Sequence, residues 1–386
     1  MTPASMMKGP DSLARPGRLQ AATAWRAGGA LALLAAIAVF PLIFTNALVT
    51  TIAVDTLIFV AAAAAWNIFS GYSGYISLGH AVFFGCGAYT VGIGARDWQV
   101  NGTAVFALIP LAGLVAAAVA VPFGLVALRV RRHTFVVVTI AVFFIFQLMA
   151  FNFSFTGGTT GVAAPFLVWN PSTYNDPFYY LALAIGVATI GLSWLIRGSR
   201  FGLQLRAIRD DEDRARGLGV RTMRVKLAAF MISAFVTGLL GGLWFYFITQ
   251  VLPQSGFDPA FDLSVALMAF LGGLGTVSGP VLGALVLVPA QQYLTEQFTN
   301  DYLSQIVLGT LFLGVILLLP RGVIPTGSEK ITSWRARRTG QAAAGQDAAG
   351  QAAAVIGPDA AASGPAAAPP GEPGAAAGPA GKESAR

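Results

Sequence analysis

Between Ala27 and Leu319 one long apolar run follows another, with few charges inside the runs. A helix needs about 20 predominantly apolar residues to cross the hydrocarbon core of a bilayer. Repeated runs of that length leave little choice of fold. The chain reads as an all-α polytopic integral membrane protein with about 8–10 transmembrane helices, some broken or re-entrant, and both termini cytoplasmic. Composition excludes the soluble alternative. Hydrophobic residues make up 55% of the chain and charged residues 11%, against about 25% charged in an ordinary soluble domain. The net charge of +7 does not point to nucleic acid, because Lys and Arg cluster between apolar runs without aromatic interleaving. Cys86 is the only cysteine, so no disulfide forms within the chain, and its apolar setting reads as packing.

Apolar runs fall near 28–46, 48–69, 74–95, 104–128, 134–152, 178–196, 227–251 and 302–319. Another stretch, 263–290, is interrupted by Gly272-Gly273-Leu274-Gly275 and Gly279-Pro280. Residues 1–26 are a basic cytoplasmic leader without a small-residue cleavage site, so Gly28–Phe44 reads as an uncleaved first span. Residues 27–325 form the membrane domain. Residues 326–386, rich in Ala, Gly and Pro, cannot bury enough surface to offset ordering entropy and read as a disordered cytoplasmic tail. Basic clusters lie at Lys8–Arg26, Arg129–Arg132, Arg197–Lys226 and Arg321–Arg338. Placing all four in the cytoplasm requires even numbers of crossings between them. The broken stretch 263–290 then has to enter and leave on one side as two half-helices, with 291–301 external. Non-helical backbone at membrane depth persists only against protein or a water-filled cavity, which makes this stretch a candidate pathway element.

Three segments carry candidate chemistry. The first runs Gly71-Tyr72-Ser73-Gly74-Tyr75-Ile76-Ser77-Leu78-Gly79-His80. Small residues at this density let backbones pack closely. They equally let a helix begin inside the membrane with its N-terminal amides aimed at an anionic group. Gly71, Ser73, Gly74, Ser77, Gly79 and His80 are the pathway candidates here, and His80 reads either as functional or as a hydrogen-bonded structural histidine. The second segment offers Gly272, Gly273, Gly275, Thr276, Gly279 and Pro280, with the same two readings and a break at the Gly-Pro pair. The third is the connector 197–226, which packs in nine basic and four acidic residues. Leu205 and Ile208 fall on one face of a short helix, with Leu203, Arg206, Arg209 and Asp210 around it, and Gly217 and Gly219 offer a stop. A small apolar face in a charged surround suits docking into a partner's groove. The plainer reading is a loop that only sets orientation.

In this order the Gly71–His80 segment, Gly87-Ala88-Tyr89, the Ser199-Arg200-Phe201-Gly202…Arg206-Ala207-Ile208-Arg209 connector, Gly272–Pro280 and Leu319-Pro320-Arg321-Gly322-Val323 resemble the LivM-type permeases of bacterial branched-chain amino acid ABC importers. The resemblance implies a multi-pass location in the bacterial inner membrane, in contact with lipid. It implies as partners a LivH-like second permease subunit, two cytoplasmic ABC ATPase subunits and a periplasmic substrate-binding protein. It makes the connector the coupling element that seats on an ATPase, through Arg200, Phe201, Gly202, Leu205, Arg206, Ala207, Ile208, Arg209, Asp210, Gly217 and Gly219. The implied cargo is branched-chain or related amino acids, while similar permeases take up urea, short amides or aromatic acids. ATP would belong to the partners, because this chain has no Gly-x-x-x-x-Gly-Lys-[Ser/Thr] loop to hold phosphates. No cofactor, metal or catalytic residue is expected in it. Two places depart from the family pattern: Arg214-Ala215-Arg216 is more basic than relatives, and Arg131-Arg132-His133-Thr134-Phe135 is a shorter lead-in to its span.

The rival reading is an ion-coupled secondary transporter of a small polar solute, which would use its own intramembrane charges. Asp55 and His80 are the only side chains read as placed for that, and Asp55 is read as lying near the external interface.

Overall fold

The computed structural model describes residues 29, 32, 34–44, 46–164, 174–297, 309, 310 and 313. The chain divides into two units, Met1–Gly327 and Ser328–Arg386, and the second lies outside the described residues, as do the basic leader and most of the run 302–319.

The described unit is a helical bundle. A short apolar helix α1 (Leu34–Ile43) precedes α2 (Ala47–Trp66), whose first turn is capped by Asn46 Oδ1 accepting from Leu48 N at 3.0 Å. A π-helical turn, Asn67–Gly71, prolongs α2. Then follow α3 (His80–Asp97), α4 (Ile109–Ala127), α5 (Arg132–Asn152) and α6 (Asn175–Gly198). The connector forms α7 (Arg200–Asp210) and α8 (Glu212–Gly217), and α9 (Thr222–Ile248) returns to the bundle. A single turn α10 (Pro253–Gly256), then α11 (Pro259–Gly272) and α12 (Ser278–Gln297), complete the described order. Among the described residues, five segments are long and apolar enough to cross a membrane: Ala47–Gly71, Gly102–Ala127, Arg132–Asn152, Asn175–Gly198 and Thr222–Ile248.

Helix α9 is the central post, flanked by α3 and α4, while α2 packs against α6 and α12. Without water-driven attraction between helices in lipid, close packing of small residues has to supply cohesion. The α3–α9 seam does this. A Cβ on Gly87 would stand 2.1 Å from the carbonyl oxygen of Gly238, and one on Gly241 would stand 1.9 Å from that of Phe84. The two backbones touch, and no side chain fits between them.

Two edges of the bundle are fixed by contacts. Asn175 at the start of α6 donates to Ala47 O at 3.2 Å, and Tyr174 to Phe247 O at 2.8 Å, so the starts of α2 and α6 and the end of α9 share one edge. The connector lies at the other. Between these edges the sequence-based boundaries need two corrections. The third run does not begin its helix near residue 74: Gly74–Gly79 is non-helical and turns back from the connector edge into the bundle, and α3 starts only at His80. Gly74, with φ +73°, makes that reversal possible. The break in 263–290 also sits elsewhere than at mid-depth. Helix α11, about 21 Å long at 1.5 Å per residue, starts level with the middle of α2, where Phe261 packs on Phe59 at 5.7 Å. It runs to the connector edge, where the chain turns over 273–277 and α12 runs back until Gln292 donates to Asp55 at 3.2 Å. The hairpin thus returns toward the edge it came from, as the charge pattern requires, but the segment that dips into the bundle precedes it. There β2 (Gln250–Val251) pairs antiparallel with β1 (Val162–Ala163), α10 lies against Gly85, and Phe257 stacks on Tyr89 at 5.8 Å.

Candidate functional site

The connector is a rigid two-helix unit rather than a loop. Ser199 caps α7 through Gly202 N at 3.2 Å, and Asp211 caps α8 through Asp213 N and Arg214 N, each at 3.0 Å. A Cβ on Gly202 would lie 2.0 Å from Ile196 O, so α7 folds hard against the end of α6. The apolar pair Leu205 and Ile208 is fully buried, yet against this chain's own bundle and not turned outward as the helical pattern alone had it. What faces outward is Arg200, Leu203, Arg206, Asp210 and half-buried Phe201 and Ala207, with Leu218 85% exposed beyond Gly217. Ala207, Asp210, Asp211, Arg214, Ala215 and Leu218 line a hollow of about 360 Å³ there. Gly219, at φ +86°, turns the chain away from α8.

Arg209 points the opposite way. Its Nη1 donates to Gly71 O at 2.8 Å, and its side chain fills a cradle with no room for a Cβ on Gly275, which would stand 2.3 Å from Nη1. Arg132 holds it from behind, donating to the carbonyl oxygens of Ile208 and, at 2.6 Å, Arg209. Asn67 closes the set: its Oδ1 accepts from Gly275 N at 2.9 Å and its Nδ2 donates to Thr276 O at 2.8 Å. The three segments singled out in the sequence therefore meet at one guanidinium group. Thr276 also accepts from Gly279 N at 3.0 Å, and Gly272 meets Gly279 backbone to backbone. Pro280 stands in the first turn of α12, where its missing N–H costs nothing. It opens a helix here and does not kink one.

Beside this pin lies a buried ionic cluster. Lys226, in the first turns of α9 and 3% exposed, donates to Glu212 Oε1 at 2.8 Å, to Tyr75 OH at 3.1 Å and to Leu128 O at 3.4 Å. Tyr75 OH in turn donates to Glu212 Oε2. Removing one partner of a buried pair typically costs about 3–5 kcal/mol, because the other charge is left uncompensated. Burial pushes the Glu212 carboxyl up, but the hydrogen bonds from Lys226 and Tyr75 outweigh it and hold it below the ordinary range.

Deeper in the bundle the N-terminus of α3 begins inside protein, as the Gly/Ser-rich segment allowed. The acceptor it meets comes from the same chain: Asp262 Oδ1 accepts from Ala81 N at 3.1 Å. His80 Nε2 lies 2.8 Å from Ser233 Oγ, which donates to Ala65 O at 2.7 Å, and Trp66 Nε1 donates to Ser77 O at 2.8 Å. Gly71, Ser73, Ser77, Gly79 and His80 are buried, with Gly74 half-buried against Arg209. Of the second set, Gly272, Gly273, Gly279 and Pro280 are buried and Gly275 and Thr276 half-buried. Asp55 is half-buried on Gln292.

Asn67, Tyr75, Arg132, Glu212, Lys226 and Asp262 were not picked out from sequence. Asp262 had a signal, a carboxylate inside the apolar run that becomes α11, and it joins Asp55 and His80 as an ionisable group within the bundle. Lys226 carried none, since it closes a basic connector and reads as one more exposed charge. Among the described residues no group of three or more His, Cys, Asp or Glu is arranged to hold a metal ion.

Long apolar helices, half-helices that begin inside the bundle and a capped two-helix connector at one edge define a multi-pass membrane transport protein. Residues 48–316 match the family described as branched-chain amino acid transport system / permease component, and the chain belongs to that family. It is 29% identical over 301 residues to the high-affinity branched-chain amino acid transport system permease protein LivM of Salmonella typhimurium, covering 71% of this chain and 69% of that one. The LivM protein of Escherichia coli is 28% identical over the same lengths. The LivH permease protein of Salmonella typhimurium is 28% identical over 181 residues, 44% of this chain and 58% of that one. No solved structure matches the chain.

Proposed function

We propose that the chain is a transmembrane permease subunit of an ATP-driven importer that carries branched-chain or related amino acids across the bacterial inner membrane. Its partners in this reading are a LivH-like permease, two cytoplasmic ATPases that bind and hydrolyse ATP, and a periplasmic binding protein. The observation that carries the reading is the connector. A capped helix pair whose inner face grips both re-entrant segments, and whose outer face keeps a hollow beside exposed Leu218, is built to receive a push from another protein and pass it inward. The LivM and LivH relatives, named as permeases of high-affinity branched-chain amino acid transport systems, support the cargo.

Co-expression with neighbouring genes and purification in detergent tests this. ATPase subunits co-purify with the wild-type chain, and Ala207→Glu, which puts a carboxylate into the hollow, releases them while membrane insertion persists. A chain that purifies alone and accumulates leucine in liposomes under a proton gradient overturns the proposal in favour of a secondary transporter.

A further inference from the structure

We infer that Tyr75, Glu212 and Lys226 form a latch by which the connector moves the linking segment Tyr72–Gly79, non-helical from Gly74 on, and with it the start of α3. The inference rests on the coupling role proposed above and names the residues that would transmit it. Past Gly74 the segment is not braced by helical hydrogen bonds of its own, and it is tied instead to several elements at once. Tyr72 OH lies 2.8 Å from Ser193 Oγ of α6, Ser77 O accepts from Trp66 of α2, and Leu78 N donates to Thr139 Oγ1 of α5 at 3.2 Å. A displacement at its middle is therefore felt by three helices.

The connector holds this segment in two places. Arg209 holds its root, at Gly71 O. Glu212 holds its middle, through the Tyr75 hydroxyl, and Lys226 neutralises Glu212 from α9. Glu212 opens α8, which Asp211 caps, so its carboxylate moves with the helix pair and not with a loose loop. The Tyr75 ring is fixed outside the latch by Phe135, edge-on at 5.4 Å, and Lys226 Nζ lies 4.3 Å from its centre. A grip at the root and another at the middle make a lever. The root grip lands on a backbone carbonyl and cannot be deleted cleanly, whereas the middle grip hangs on one hydroxyl. These three are positioning residues: none needs to touch cargo.

The test uses the complex purified with its co-expressed partners and follows hydrogen exchange in 72–79 and 200–217 with and without ATP plus vanadate. In the wild type both segments change on adding nucleotide. In Tyr75→Phe, which keeps the ring and its packing, ATPase subunits stay bound and 200–217 still responds. The response at 72–79 falls at least about threefold, the scale set by loss of one hydrogen bond. The double variant Glu212→Met with Lys226→Met, which replaces the pair by apolar residues of similar size and removes the acceptor of the Tyr75 hydroxyl, gives the same split. Persistence of the 72–79 response in both variants overturns the latch while leaving the coupling reading standing. A wild-type chain that retains no ATPase overturns the coupling reading itself.

Discussion

Arg209 donates from Nη1 to the carbonyl oxygen of Gly71 at 2.8 Å, across 138 residues of chain. That bond exists because three glycine-bearing segments leave a guanidinium-sized space where they meet. Gly275 sits at φ +76° with no room for a side chain, so both its conformation and its neighbour demand glycine. Gly275→Ala is expected to displace Arg209 and cost about 1–3 kcal/mol, combining overpacking with left-handed strain. Limited proteolysis of the connector checks it: cleavage within 200–217 rises in the variant, and unchanged protection would refute the cradle.

Asp262 gives a second expectation. Its carboxylate satisfies the amide of Ala81 at the buried start of α3. Asp262→Asn keeps an acceptor and is expected to lower thermal stability in detergent only slightly, whereas Asp262→Leu loses the cap and costs about 1–2 kcal/mol. Equal melting temperatures for the two variants would show that the bond carries no stability.

Glu212 sets a pH dependence. A carboxyl held below its ordinary value near 4.5 contributes stability that is complete above that value and is lost as pH falls through the lower folded value. Connector protection is expected to be flat from neutral pH down to about 5 and to fall only below about 4.5. The Glu212→Met with Lys226→Met variant is expected to lose this acid-side decline. A fall in protection already at pH 6 in the wild type would assign the dependence to another group.

Asp55 discriminates between transport classes. Its Oδ2 accepts from Gln292, and an asparagine oxygen can do the same. Asp55→Asn is expected to leave leucine uptake within about twofold of wild type, since the swap keeps both the side-chain volume and the acceptor that Gln292 uses. Abolished uptake that also loses its dependence on a proton gradient would favour the ion-coupled alternative.

Much of the architecture was legible because the bilayer imposes simple demands. Apolar length located the five long spans, and the requirement for even crossings placed 263–290 as a hairpin returning to its own edge. The boundary at His80 was less legible. The small residues of Tyr72–Gly79 allow a helix either to run through or to begin there, and the acceptor that receives the first amides of α3 is Asp262, 181 residues away. The connector shows the same limit from the other side. Helical spacing correctly put Leu205 and Ile208 on one face, but spacing says nothing about which surface the face meets. Lys226 is the extreme case, because its burial depends on Glu212 and Tyr75 arriving from two other parts of the chain.

The seam between α3 and α9 bears on the order in which this protein can be made. Helix α3 is not among the segments apolar enough to hold a bilayer position by composition alone. Gly87 of its glycine face meets Gly238 on α9, and His80 meets Ser233 there, 153 residues later. While the ribosome is still producing the connector, α3 has α4 beside it but not the face of α9, and its first turn waits further for Asp262. The seam is thus closed by parts of the chain made later, and a chain cut short before α11 leaves the first turn of α3 without the carboxyl that receives the amide of Ala81.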